Sequence, residues 1–256
     1  MLTETYIHID GVSLKSERRI HSGGVCDWFQ FLEKPPSIHH KLYSIIKGAL
    51  PESFSSLRAK NVSYFSSRLP PNEHWRFLKD FIDSAVCLDI ETTGCSPYYG
   101  KVTVIGVYAN ERYYAFTSDE ELGDAAEFLS RFKILITYNG KRFDVPFLIH
   151  KLGWGFLNDM VQVDLMYPCR KLGLKGGLKG VERELGIKRP LEISELNGYD
   201  AVKLYTQYLN GEKEAFDKLI EYNRCDVENL LKIFEAVYPK LRLEAVGHGI
   251  QNRACR

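Results

Sequence analysis

The sequence predicts an α/β fold: a five-stranded mixed sheet flanked by helices, with a small, mainly helical N-terminal region. Three observations carry this. Before residue 79, apolar residues recur at helical spacing between Gly and Pro breaks. From residue 85, three short apolar runs follow one another through tight turns, and two more alternate with helical segments. Beyond residue 177 only helical patterns remain. A meander that passes into β–α alternation is compatible with a mixed sheet carrying helices on both faces.

The elements follow in order. "ERRIHSGGVCDWFQFLE" gives two short amphipathic pieces around Gly23-Gly24. "IHHKLYSIIKGAL" places Ile38, Leu42, Ile45, Ile46 and Leu50 at helical spacing, with Pro51 and then Pro70-Pro71 expected to interrupt. "NEHWRFLKDFID" reads as a short helix with Trp75, Leu78 and Ile82 on one face. "AVCLDI" is a strand, and "KVTVIGVYA" is a second, apolar enough for burial on both faces. The turn beginning at Asn110 returns the chain as "RYYAF". "SDEELGDAAEFLSRF" is a helix capped by Ser118, with acids in its first turn. "KILITYN" is the fourth strand. "DVPFLIHKLG" is a helix with Pro146 in its first turn and Gly153 at its stop. "VQVDLM" is the fifth strand, and helices follow at 177–186, 199–209 and 213–238. The expected organisation is an N-terminal region over 1–78, a domain over 79–240 and a tail over 241–256.

Composition narrows the class. The chain has 256 residues, 45% of them hydrophobic, so it can bury a substantial core. With 34 basic and 33 acidic residues the net charge is +1, and a nucleic-acid partner cannot be argued from total charge. The sequence contains no apolar run of bilayer length and its start lacks signal-peptide features, so a soluble, cytoplasmic protein without a membrane partner is expected. The six cysteines form no CxxC pair and no zinc spacing. They read as free thiols, although Cys95 and Cys225 lie close in sequence to the acids discussed next. His39-His40 read as surface residues.

Three acidic groups stand out. In "CLDIETTGCS", Asp89 and Glu91 lie two apart on a strand, so both point to one face, roughly 7 Å apart, while Leu88 and Ile90 point to the other. Like charges so placed raise each other's cost of ionising, and a divalent cation removes it. Oxygen-only ligation suits Mg²⁺ or Mn²⁺. Thr92, Thr93 and Gly94 then form a turn where backbone can approach a ligand. In "TYNGKRFDVPFL", Asn139 ends a strand and Asp144 begins a helix. In "EYNRCDVENLL", Tyr222 and Asp226 are four apart on one helix face. Taken singly, each has an ordinary reading: a solvated strand end, an acid on a helix dipole, a helix-surface acid beside a core-edge tyrosine.

Their conjunction in this order, D-x-E then N-x3-F-D then Y-x3-D, resembles the three motifs of the DEDD exonucleases. A tyrosine four residues before the last aspartate resembles the DEDDy branch; the histidine branch would want His where Glu221 stands. "DIETTG", "YNGKRFDVPFL", "VDLMYPCRKLGLKGGLKGVERELGIKR" and "YNRCDVENLLKIFE" together resemble the YprB-like ribonuclease H-like proteins over about residues 85–238. The upstream "YFSSRLPPNEHWRFL" extends the likeness more weakly.

That resemblance implies a ribonuclease H-like fold and two-metal hydrolysis of phosphodiester bonds from a 3′ end. On it, Asp89 is expected to bridge two Mg²⁺ or Mn²⁺ ions about 4 Å apart. Glu91 and Asp226 complete the site of the ion that activates water, and Asp144 holds the other, partly through water. Tyr222 aims its hydroxyl at the attacking water; a phenol near pKa 10 orients rather than deprotonates. The implied partner is the 3′ end of single-stranded nucleic acid, with DNA favoured and RNA close behind.

Substrate contacts are expected from Thr92, Thr93, Gly94, Asn139 and Phe143, and from Arg170, Lys171, Lys175 and Lys179. The last four belong to a segment, 170–189, with seven basic residues and two acids, a local net of +5. "GLKGGLKG" lacks the G-x4-G-K-[ST] pattern of a phosphate loop and reads as a flexible connection. Tyr98, Tyr99 and Phe143 offer stacking surfaces, with loop or core packing as the plainer reading. Asp164 reads as a buried structural acid or helix cap, with a supplementary acid near the site as the second option. Trp28, Phe29 and Trp75 either pack internally or dock a partner. A nucleic-acid-binding module without turnover is the competing function.

Overall fold

The computed structural model describes residues 1–117 and 119–247. Two compact units emerge: residues 1–82 together with the described residues from Tyr238 onward, and Asp83–Val237.

The first unit is helical. Its helices are α1 (Leu14–Ser22), α2 (Trp28–Glu33), α3 (His40–Arg58), α4 (Val62–Ser66) and α5 (Trp75–Leu78). Trp28, Phe31, Phe65, Phe77 and Phe81 are buried. Arg76 is buried with them, its charge balanced by Glu17 at 2.8 Å and Glu73 at 2.6 Å. Of the aromatics considered for docking, Trp28 and Trp75 are buried and Phe29 is 58% exposed.

Two expectations fail in this unit. Helix α3 runs through Pro51 rather than stopping there. Pro51 and Lys47 are both exposed, so the carbonyl that loses its donor lies on the solvent side. The helix expected over 72–83 is broken into a turn at Pro71–Glu73, the short α5 and a second turn at Lys79–Ser84. Phe81 leaves helical geometry (φ −126°, ψ 25°), which buries Phe81 and leaves Ile82 37% exposed.

The second unit holds the sheet: β1 (Ala85–Thr92), β2 (Val102–Ala109), β3 (Arg112–Phe116), β4 (Ile134–Thr137) and β5 (Val161–Asp164), in the order β3-β2-β1-β4-β5. The first three are antiparallel; β4 and β5 run parallel to β1. Asn110 and Glu111 both take positive φ, 52° and 61°, which is what a two-residue hairpin between right-twisted strands requires. Between and beyond the strands lie α6 (Asp119–Ser130), α7 (Asp144–Leu152), α8 (Met166–Lys171), α9 (Gly177–Leu185), α10 (Leu191–Ser194), α11 (Gly198–Leu209) and α12 (Lys213–Val246). The predicted mixed sheet with flanking helices is therefore present. The short α8 and α10 were not expected. Helix α12 continues past 240, so residues 241–246 are helical rather than a tail. Ser118, the expected cap of α6, lies outside the described residues.

One apolar layer fixes the orientation of β1. Val86, Leu88 and Ile90 are buried with Val107, Leu135, Phe147 and Leu148. Cys87, Asp89 and Glu91 take the opposite face by strand alternation. Parallel pairing of β1 with β4 is limited to Ala85–Cys87, and beyond it a crevice opens at the carboxyl ends of the two strands. Among the described residues no helix is long and apolar enough to cross a membrane.

Candidate metal and catalytic centre

The crevice is a pocket of about 230 Å³ lined by Asp89, Glu91, Thr92, Gly94, Cys95, Tyr138, Asn139, Phe143, Asp144, Tyr222 and Asp226, among others. All four acids singled out from the sequence line it, and so does the tyrosine. Ligand oxygens of Asp89, Glu91 and Asp226 lie within 4.8 Å of one another.

Each acid is held by its element. Asp89 and Glu91 ride on β1, which continues to Thr92, so Thr92 ends the strand instead of belonging to a turn; a register shift against β2 falls between Glu91 and Thr92. Asp144 opens α7 but does not cap it. Its Oδ1 accepts the Ile90 N–H at 3.0 Å, a donor that β4 no longer reaches. Tyr222 and Asp226 stand one turn apart on α12 and are both buried.

Burial raises every carboxyl. Asp89 and Glu91 are pushed well above the usual range by desolvation, reinforced by the charge of Asp226. Asp144 is pushed up to about 7 by burial, against the stabilising Ile90 N–H. Asp226 is pushed up to about 6 by burial, against the pull of Arg189. Burial, and then the charge of Asp226, also push the Tyr222 phenol up, which removes it further from service as a base. Glu91 Oε1 is buried without a hydrogen-bond donor. An orphaned acceptor among oxygen-only ligands with suppressed ionisation is the donor set a hard divalent cation fits.

Four residues of the site were missed in the sequence. Asn223 donates from Nδ2 to Asp89 Oδ2 at 3.1 Å and to the Asp89 carbonyl at 3.3 Å, and its Oδ1 accepts the Tyr113 hydroxyl at 3.0 Å. Gly106, opposite Asp89 on β2, makes this possible: a Cβ there would lie 1.7 Å from Asn223 Oδ1. A lone glycine inside an apolar strand was the available signal. Arg189 is the fourth. It donates through Nε and Nη2 to the two oxygens of Glu182, each at 2.7 Å, and through Nη2 to Asp226 Oδ1. The sequence read it only as part of a basic segment.

The expected substrate contacts divide. Thr92, Gly94, Asn139 and Phe143 line the pocket. Thr93 does not; its backbone N–H donates to the Lys101 carbonyl and its hydroxyl accepts the Lys101 N–H at 2.9 Å, closing the 93–101 loop. Lys179 sits with Nζ 4.4 Å from the Tyr222 ring centroid. Arg170 and Lys171 at the end of α8 and Lys175 in the turn after it are exposed, and like Lys179 none of them lines the acidic pocket. That turn is built on left-handed glycines, Gly173 and Gly176 at φ 82° and 91°. Tyr98 and Tyr99 are 72% and 91% exposed. Asp164 is buried and accepts the N–H groups of Asn139, Lys141 and Met166, so it braces the loop that carries Asn139.

A sheet of this order with acids gathered at the carboxyl ends of its central strands defines a ribonuclease H-like protein. A family model described as the RNase_H superfamily matches residues 86–238, and the chain belongs to that superfamily. No curated protein matches it. Among solved structures it is similar to the family B DNA polymerase from the hyperthermophilic archaeon Pyrobaculum calidifontis. The identity is 16% and the TM-score 0.49, over 64% of this chain and 27% of the polymerase, so the chain spans about a quarter of that protein.

Proposed function

We propose that the protein is a metal-dependent 3′–5′ exonuclease of the DEDDy type, related to the YprB-like proteins, acting on single-stranded nucleic acid with DNA favoured. The observation that carries this reading is the convergence of Asp89, Glu91, Asp144, Asp226 and Tyr222, from three separate motifs, on one pocket. In this reading residues 79–240 form the nuclease domain and residues 1–78 an accessory region.

Asp89, Glu91 and Asp226 would hold one divalent ion, Mg²⁺ or Mn²⁺, and Asp89 with Asp144 the other. Bound there, such ions supply hydroxide near neutral pH and positive charge for the departing 3′-oxygen. The chain's own groups do the rest. Asn223 fixes the Asp89 carboxylate. Tyr222 presents a phenol that stays protonated and so orients the attacking water. Asn139, Phe143, Thr92 and Gly94 bound the space for the terminal nucleotide. Lys179 offers a cation beside Tyr222 for the strand's phosphates.

The test is degradation of matched 5′-labelled DNA and RNA strands in Mn²⁺, with and without EDTA. A ladder shortening from the 3′ end, abolished by EDTA, supports the reading, and the faster substrate identifies the sugar. Internal cuts alone would make it an endonuclease. Tight metal-free binding unchanged by Asp89→Asn, without hydrolysis, would make it a binding module.

A further inference from the structure

Beside the four acids the protein has built a cation of its own. Arg189 has a side chain only 4% exposed. Glu182 grips it with both carboxylate oxygens and is itself held by Asn229, whose Nδ2 donates to Glu182 Oε1 at 2.8 Å. Asn229 is fixed in turn by Lys232 at 2.8 Å from its Oδ1. A guanidinium so anchored on one side presents its remaining donors to the other, and Asp226 Oδ1 takes one. The ion pair spans α9, the loop before α10, and α12.

We propose that Arg189 is a resident competitor for Asp226 that weakens the site's intrinsic hold on a divalent cation. The inference rests on the metal-site reading above and deepens it. The physical argument is charge. A fixed guanidinium in contact with one ligand carboxylate repels any dication the same carboxylate would bind, and burial leaves little water to screen the two. The pairing also occupies one of the two oxygens of Asp226. Because Glu182 holds Arg189 from behind, the arginine cannot swing into solvent to make way. An ion therefore shares Asp226 with Arg189 instead of displacing it, and the approach of a negatively charged strand offsets the excess positive charge. Metal loading is thereby favoured when nucleic acid is present.

A purely structural role for Arg189 predicts the opposite sign. If it served only to position Asp226, removing it would loosen the carboxylate and weaken metal binding. Mn²⁺ affinity without nucleic acid separates the two. The double variant Glu182→Gln with Arg189→Gln removes the buried pair without leaving either charge alone, and Arg189→Lys keeps the charge while losing the fork. Mn²⁺ is titrated into the full chain by electron paramagnetic resonance, with circular dichroism to verify folding. The double variant should bind Mn²⁺ about tenfold more tightly than the wild type, with Arg189→Lys close to the wild type. Equal or weaker binding by the folded double variant overturns the proposal and leaves the metal site standing, as does tighter binding by Arg189→Lys. If the double variant does not fold, the lysine variant alone decides. Wild-type protein that binds no Mn²⁺ overturns the metal site itself, and this inference with it.

Discussion

Adding Mn²⁺ should stabilise the protein far more near pH 8 than near pH 5. Without metal, Asp144 and Asp226 have folded-state pKa values raised from 3.8 to about 7 and about 6. A raised value means that the contribution is fully present below the unfolded value of 3.8 and is lost as pH climbs to and through the folded value, because the unfolded chain sheds its proton first. Between pH 5 and pH 8 the loss is about 3 kcal/mol for Asp144 and about 1 kcal/mol for Asp226, at 1.36 kcal/mol per pH unit. A bound dication offsets that loss at pH 8, where the acids are ionised and ready to ligate. Near pH 5 the ion must first displace protons. A difference of about 4 kcal/mol corresponds to roughly 10 °C in melting temperature for a chain of this size. The assay is thermal unfolding at both pH values, with saturating Mn²⁺ and with EDTA. Subtracting the EDTA curve at each pH removes every group that does not sense the metal. Equal metal-dependent shifts at the two pH values, or a larger one at pH 5, would refute the reasoning. So would a shift that survives Asp89→Asn combined with Asp226→Asn.

Asp89→Asn should bring hydrolysis to background in the labelled-strand assay while the circular dichroism spectrum stays native. Tyr222→Phe should slow single-turnover cleavage about ten- to hundredfold through misplaced water, with Mn²⁺ affinity unchanged by calorimetry. Gly106→Ala should cost about 1–3 kcal/mol in chemical denaturation, because the new methyl drives Asn223 off Asp89. Adding Asn223→Ala to it should recover the stability but not the Mn²⁺ affinity.

The acids were legible because they sit at fixed offsets on elements whose type the pattern reveals. Alternation on β1 puts Asp89 and Glu91 on one face, and helical spacing puts Tyr222 above Asp226. The sheet was legible for the same reason: its strands are short apolar runs punctuated by turns. What escaped was long-range. In the sequence Arg189 stands beside Lys188 as one more cation, and seven basic residues within twenty give no hint that one is sealed between Glu182 and Asp226. Likewise Arg170, Lys171 and Lys175 read as one footprint with Lys179, yet in the fold Lys179 stands over the Tyr222 ring while the other three are exposed. Pro51 was misjudged because a helix tolerates proline where the orphaned carbonyl meets water, and exposure is not written in the residue itself.

The C-terminal part of α12 bears on where the ribonuclease H-like domain can be cut. The described residues from Tyr238 onward belong with the first unit. There Tyr238 lies edge-on to Trp75 at 6.3 Å, Lys79 sits over its ring at 5.3 Å, and Arg242 pairs with Glu4. Leu241, Ala245 and Val246 are buried. A fragment over 79–256 keeps this stretch but removes most of the unit it packs in, uncovering Tyr238 and Leu241 at about 2 kcal/mol each. It should aggregate in size-exclusion chromatography. A fragment over 83–237 carries the whole sheet and all four acids and omits the stranded apolar surface, so it should elute as a folded monomer and bind Mn²⁺. Soluble, monomeric behaviour of 79–256 would show instead that residues 238–246 need no partner from the N-terminal region, and that the boundary near 240 read from the sequence is the working one.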